Sequence, residues 1–150
     1  PGLNHHNART EEQVELMQKI EEDGVCPFCA EHFTKYHPKP ILKETDYWFV
    51  TENMSPYEGT TTHLIFVYKP EHISKPTDIS PEGFVDLQEC INWAIQELNI
   101  VGGSFFMRFG NTSYNGSSVE HIHAQLVTGV EKGEDTEGLK VKLAIKKTAQ

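Results

Sequence analysis

No stretch of the chain approaches the ~20 consecutive apolar residues that a bilayer-spanning helix requires, which excludes such a helix. The opening residues, Pro1-Gly-Leu-Asn-His-His-Asn-Ala8, hold no hydrophobic targeting segment either, so the cytoplasm is the expected location. Positive charge is scarce. Lysine and arginine together number 13, with only two arginines, against 22 acidic residues, and the formal charge is −9. Such a chain exerts no long-range attraction on a polyphosphate backbone or an anionic bilayer, so neither nucleic acid nor a membrane is expected as a general partner. A small anionic ligand stays compatible, because a pocket can be locally positive within a negative molecule. Cysteine is scarce as well: three thiols, two of them spaced Cys26-x-x-Cys29 and the third alone at Cys90, do not make the disulfide framework of a secreted domain. They fit a metal clamp or a redox pair, plus one packed thiol. Internal repeats and low-complexity tracts are absent.

What remains is ordinary globular composition, 37% hydrophobic and 23% charged over 150 residues, enough for one domain around a single core. Residues 1–9 are expected to be a flexible N-terminal segment and residues 10–150 that domain. Thr10 followed by Glu11-Glu12 is a helix start, and Val14, Leu16, Met17 and Ile20 give the helix an apolar face that stops near Gly24. A polar stretch with His32 and His37 follows the Cys26-Pro-Phe-Cys29 knuckle. Pro40 to Glu44, Tyr47 to Glu52 and His63 to Tyr68 read as strands, the last ending at Lys69-Pro70-Glu71-His72.

Ser80-Pro81-Glu82 starts a second helix, in which Phe84, Leu87, Ile91, Ala94, Ile95 and Leu98 form the expected buried stripe, with Cys90 at its edge as a packed thiol. Ser104 to Phe109 is a further strand. The Gly-, Asn- and Ser-rich loop from Gly110 to Ser118 then makes a hairpin into the next one. Lys140 to Lys147 alternates enough to predict a late strand or a docking tail. Neighbouring strands, two main helices and no regular βαβ alternation predict an α+β fold with a mainly antiparallel sheet.

The most informative stretch is His121-Ile-His-Ala-Gln125. In a strand, His121, His123 and Gln125 share one face while Ile122, Ala124 and Leu126 share the other. That pattern describes either a reactive face backed by core or a solvated edge. Cys26-x-x-Cys29 is shared by zinc knuckles and dithiol redox sites, but the redox reading wants a thioredoxin-like βαβ context that is missing here. His32, His37, His63, His72, His121 and His123 are the available imidazole donors, and a site built from distant elements suits them better than a local knuckle with His32 and His37.

Four ordered motifs, Cys26-Pro-Phe-Cys29, Phe66-Val-Tyr-Lys-Pro-Glu-His72, the loop from Gly110-Asn111 to Ser117-Ser118, and His121-Ile-His-Ala-Gln125, resemble the histidine-triad superfamily over residues 24 to 127. Glutamine in the last position is similar to the branch that holds galactose-1-phosphate uridylyltransferase and diadenosine tetraphosphate phosphorylase. The resemblance implies a five-stranded antiparallel sheet with a helix against it, and a homodimer. It implies structural zinc held by Cys26, Cys29, His72 and His121, a closed tetrahedral set. His123 would be the nucleophile that attacks a nucleotide α-phosphorus to form a nucleotidyl-histidine.

Gln125 would give an amide hydrogen bond to a phosphate oxygen, and unlike a third histidine it has no proton for the leaving group, which favours phosphate or polyphosphate leaving groups. Ser118 matches a phosphate-binding serine, with the Ser117 and Gly116 amides beside it. Asn53 falls where a ribose contact is expected, with Glu52 adjacent. Asn111 is another phosphate or sugar contact. Arg108 either offsets substrate charge or faces solvent. The implied activity is a nucleotidyl transferase or hydrolase acting on nucleoside phosphates or dinucleoside polyphosphates. Two alternatives remain open at this stage: a zinc-stabilised nucleotide-binding module without turnover, and a catalytic metal bound by both His121 and His123.

Overall fold

In a computed structural model of the chain, which describes Leu3, Asn4, Ala8 and residues 10–148, Thr10 begins the first helix as its chemistry requires. Its backbone is extended and its side chain accepts from the Gln13 N–H at 3.0 Å, which satisfies one orphan donor of α1 (Glu11–Asp23). Gly24 ends the helix at φ 70°, returning its N–H to Ile20 and Glu21, a left-handed turn that suits a residue without Cβ. Of the segment 1–9, Leu3 forms a bridge with Val119, and the Asn4 N–H donates to the Ser118 carbonyl at 2.9 Å. Apart from these two and Ala8, the segment lies outside the described residues.

A helix that the sequence did not announce follows the knuckle. α2 (Ala30–Tyr36) has only seven residues and no side-chain cap, so isolated propensity cannot sustain it. Packing holds it instead: Phe33 is fully buried, stacks on Phe49 at 5.0 Å and lies beside His37 at 4.8 Å, while the Tyr36 hydroxyl donates to Asp23 at the end of α1.

β1 (Ile41–Glu44), β2 (Trp48–Glu52), β3 (Thr62–Tyr68), β4 (Ser104–Arg108) and β5 (His123–Thr128) form one antiparallel sheet in the order β1-β2-β3-β5-β4. The architecture is α+β with five strands, as expected, although it carries three helices and not two. β5 pairs on both sides, and its central place lets elements above and below the sheet bury its side chains on both faces. One face, with Trp48, Val50, Leu64, Phe66, Tyr68, Ala124 and Leu126, packs against α3 (Pro81–Glu97) as the main core. The opposite face carries Phe49, Ile65 and Val67 beneath Phe33 and Phe28.

α3 starts at Ser80, whose side chain accepts from the Gly83 N–H at 3.0 Å. Its buried stripe is rotated from the expected one: Gly83, Leu87, Cys90 and Ala94 face the sheet, whereas Phe84, Ile95 and Leu98 are about 40% exposed. The reason is volume. The sheet supplies Trp48, Phe66 and Tyr68, so the helix approaches through its small residues; a Cβ on Gly83 would stand 3.3 Å from the Tyr68 ring. The Trp48 Nε1–H donates to the Gly83 carbonyl at 2.8 Å and fixes the contact. Cys90 therefore lies at the centre of the stripe, not its edge.

Lys140 to Lys147 forms no strand. Leu143 and Ile145 stay more than half exposed, and the segment touches the sheet through the Lys142 carbonyl, which accepts from the Arg108 Nε–H at 2.9 Å. Among the described residues, no helix is long and apolar enough to cross a membrane.

Candidate metal and phosphate-transfer site

The knuckle, the end of β3 and the entry to β5 converge at one corner of the sheet. His121 precedes β5 and is fully buried, and its Nε2 lies 2.7 Å from the Tyr68 carbonyl. That carbonyl can only accept, so Nε2 carries the proton and Nδ1 presents its lone pair. Nδ1 sits 3.6 Å from the Cys26 sulfur, 3.7 Å from the Cys29 sulfur and 3.3 Å from Nδ1 of His72, and Cys29 is 3.5 Å from His72. Ordinary zinc bonds to sulfur and nitrogen, set at tetrahedral angles, place neighbouring donors about 3.3–3.8 Å apart. All four donor atoms lie within 4.8 Å of one another.

The group fits a closed two-thiolate, two-imidazole site, with the Tyr68 carbonyl orienting one ring from behind. Burial pushes His121 down to about 4, against the pull of the Tyr68 carbonyl, and so keeps the ring neutral. Burial, followed by the neighbouring Cys26, pushes the Cys29 thiol up to about 12; a cation would reverse that preference, since the thiolate is the ligand. His123 is not part of the cluster.

His123 opens β5, and strand alternation turns it to the face away from α3. Its Nδ1 lies 2.8 Å from the His121 carbonyl, so Nδ1 carries the proton and Nε2 is left with its lone pair. Burial holds this imidazole down at about 4, neutral around pH 7. Phe28 of the knuckle stands edge-on to His123 at 4.9 Å and to His121 at 6.4 Å, packing the Cys/His corner against the neutral imidazole.

Gln125 shares the face of His123, and a residue the sequence reading left without a role orients it. His63 on β3 accepts the Tyr57 N–H at its Nδ1, 3.1 Å, and its Nε2 lies 2.5 Å from the Gln125 Oε1. With Nδ1 an acceptor, Nε2 must donate, so the network assigns Oε1 toward His63 and leaves the Gln125 NH₂ as a donor. The alternation His63, Ile65, Val67 was the available signal, because it puts His63 on the face of Gln125. Pairing of β3 with β5 was what the sequence did not give.

The remaining candidates divide. His123, Gln125, Ser117, Ser118, Asn53 and Arg108 line one cleft, along with apolar side chains of α1 and α2. The Ser118 hydroxyl oxygen accepts from the Gln13 Nε2–H at 3.1 Å, and the Ser117 hydroxyl donates to the Val119 carbonyl at 2.6 Å. Asn53 reaches the cleft with its Oδ1 accepting the Ser55 N–H at 2.8 Å, while Glu52 is exposed and outside the lining. Asn111 is exposed, caps the 110–118 loop through Ser113 N–H, and does not line the cleft. Arg108 does not face solvent: only 9% of it is exposed.

Solved structures share this architecture. A HIT family hydrolase from Clostridium thermocellum is similar at 22% identity over 73% of this chain and 95% of its own, with a TM-score of 0.57. A histidine triad nucleotide-binding protein from Candida albicans is similar at 17% identity over 77% of this chain and 87% of its own, TM-score 0.56. A zinc-bound histidine triad family protein from Mycobacterium smegmatis covers 82% of this chain and 85% of its own at 20% identity, TM-score 0.55. No family model and no curated protein matches the chain. The fold is therefore that of histidine-triad proteins, and its corner holds a Cys/His cluster able to take a metal ion.

Proposed function

We propose that the chain is a histidine-triad nucleotidyl transferase or hydrolase that acts on nucleoside phosphates or dinucleoside polyphosphates. The observation that carries this reading is the buried, neutral His123 with its Nδ1 proton committed to the His121 carbonyl at 2.8 Å. Such a ring has one nucleophilic atom, Nε2, and does not need a base to free it. Nε2 attacks the α-phosphorus; the P–N bond forms as the P–O bond to the leaving phosphate breaks. In the second step an oxygen of water, phosphate or a sugar phosphate attacks the same phosphorus, the P–N electrons return to Nε2, and a proton carried by the attacking oxygen is released to solvent.

The Gln125 NH₂, held by His63, donates to a non-bridging oxygen where charge develops. Gln125 has no acidic proton, so the leaving group departs as its anion and phosphate or polyphosphate is favoured. Ser118, Ser117 and Asn53 serve as substrate contacts from the cleft wall, and Asn111 as a more remote one. Cys26, Cys29, His72 and His121 would hold structural zinc, which supplies a fixed crosslink between the knuckle and β5 and has no open position for water. A homodimer and a cytoplasmic location complete the reading.

The test is incubation with a panel of α-phosphate-labelled nucleoside and dinucleoside polyphosphates, alkaline quench and denaturing gel. Acid-labile label on the wild type, absent from His123→Ala, is the expected result. No label from any substrate, or label that persists in His123→Ala, refutes the covalent mechanism; calorimetric nucleotide binding with no turnover would instead mark a binding module.

A further inference from the structure

The described residues that line the cleft include no aspartate and no glutamate, and their single formal charge is Arg108. In a chain of net charge −9, the local sign of the cleft is opposite to the average. Arg108 ends β4 directly opposite His123 of β5, and opposed residues of an antiparallel pair project from the same face. Its guanidinium donates through Nε to the Lys142 carbonyl at 2.9 Å and through Nη2 to the Tyr57 hydroxyl at 2.7 Å. Both partners are neutral, and among the described residues no carboxylate stands at ion-pair distance from Arg108. Of the five N–H donors of a guanidinium, three are left over.

A buried cation without an anion is costly unless a ligand supplies one. Resting on the nucleotidyl-transfer reading above, we propose that Arg108 is the residue that grips the phosphoryl group beside His123, holding two of its non-bridging oxygens with the fork of its unspent N–H donors. The two bonds, to the Lys142 carbonyl and the Tyr57 hydroxyl, aim the fork before the ligand arrives, so little rotamer freedom is lost on binding. The role also answers a chemical need. With glutamine at position 125, no acid in the cleft neutralises the departing charge, and a fixed cation opposite the nucleophile supplies the missing electrostatic stabilisation.

The chain's two arginines make the test direct. With ¹⁵N-arginine labelling, the guanidinium Nε region holds two signals, and the one absent from Arg108→Gln is Arg108. Adding nucleoside 5′-monophosphates should shift that signal, and adding the parent nucleosides should not. Calorimetry should show monophosphate affinity reduced about 10- to 100-fold in Arg108→Gln, the loss of one charge-assisted contact, with nucleoside affinity unchanged. Arg108→Lys, which keeps the charge without the fork, should fall between the two and stands in if Arg108→Gln does not fold. An arginine that only secures the C-terminal segment and Tyr57 would leave both readouts unmoved. Wild type that binds monophosphate without shifting the signal, or variants that bind it equally, overturns the role of Arg108 alone. Wild type that binds no monophosphate overturns the nucleotide reading together with it.

Discussion

Replacing His63 with leucine cuts the relay that aims Gln125. The substitution is close in volume, so its main effect is polar: the Gln125 Oε1, within a side chain 5% exposed, loses the donor at 2.5 Å, and the Tyr57 N–H loses its acceptor at 3.1 Å. Each buried group deprived of its partner costs about 1–3 kcal/mol. Allowing leucine to recover some apolar packing, the net destabilisation is about 2–4 kcal/mol, which for a chain of this size lowers Tm by roughly 5–15 °C. The second consequence is functional. On the proposed nucleotidyl-transfer reading, once the amide can turn over its NH₂ is no longer held toward a phosphate oxygen, and kcat should fall about 10- to 100-fold while KM changes less, since the lost interaction is strongest where charge develops. The discriminating assay is a double-mutant cycle followed by thermal unfolding. Gln125→Leu removes the orphaned acceptor, so His63→Leu/Gln125→Leu should be less destabilised than the sum of the single variants by about 1–2 kcal/mol. Additive losses would show that the two side chains do not depend on each other, and the assignment of the Gln125 amide would fall with them.

Acid stability is set in part by His37, whose ring burial pushes it down to about 4 while its Nε2 lies 2.9 Å from the Thr51 hydroxyl. The unfolded chain takes up a proton near pH 6.5 that the folded chain refuses, so this contribution is complete above about pH 6.5 and is lost as pH falls toward 4. The ring is partly exposed, which reduces the effect to about 1–2 kcal/mol; His37→Gln should flatten the dependence of denaturant midpoint on pH in that window, and an unchanged slope refutes the argument. Zinc uptake should release protons from the thiols, so that the apparent affinity falls with pH, and chelation should lower Tm by about 10 °C; a Tm indifferent to chelator in both wild type and Cys29→Ser contradicts the cluster. At Gly116 an added Cβ would lie 2.4 Å from the Lys142 carbonyl oxygen and 2.9 Å from its Cβ, so Gly116→Ala should lift the C-terminal segment and speed tryptic cleavage at Lys142 several-fold, whereas cleavage at the wild-type rate would deny that contact.

What could be read from the sequence was whatever local chemistry determines. Thr10 and Ser80 cap helices because a hydroxyl beside an orphan N–H suffices, and the alternation of β5 needs no partner to be recognised. What could not be read depended on other elements. α2 is too short to declare itself and is held by Phe33 on Phe49. The stripe of α3 turned toward Gly83, Cys90 and Ala94 because the sheet had already filled the space with Trp48 and Tyr68. His63 and Arg108 gained their places from strand order: β5 lies between β3 and β4, and that insertion alone brings a histidine 60 residues upstream and the terminal residue of β4 to either side of His123 and Gln125.

The spacing His121-x-His123 has a physical reason that neither residue shows alone. The imidazole of His121 closes the Cys/His cluster, its Nε2 braced on Tyr68, while its main-chain carbonyl takes the Nδ1 proton of His123 at 2.8 Å. Any displacement of the first ring therefore moves the acceptor that decides which nitrogen of the second keeps its lone pair. Phe28, packed against both rings from between Cys26 and Cys29, gives the same coupling a second route. A structural ion at this corner would act on the reaction only by keeping that carbonyl still. Its loss should consequently reduce kcat in step with the loss of rigidity at β5, measured by amide exchange at Ile122 and His123, while the protein stays folded. Amide protection that holds while activity disappears would separate the two and assign the ion a role that this geometry does not provide.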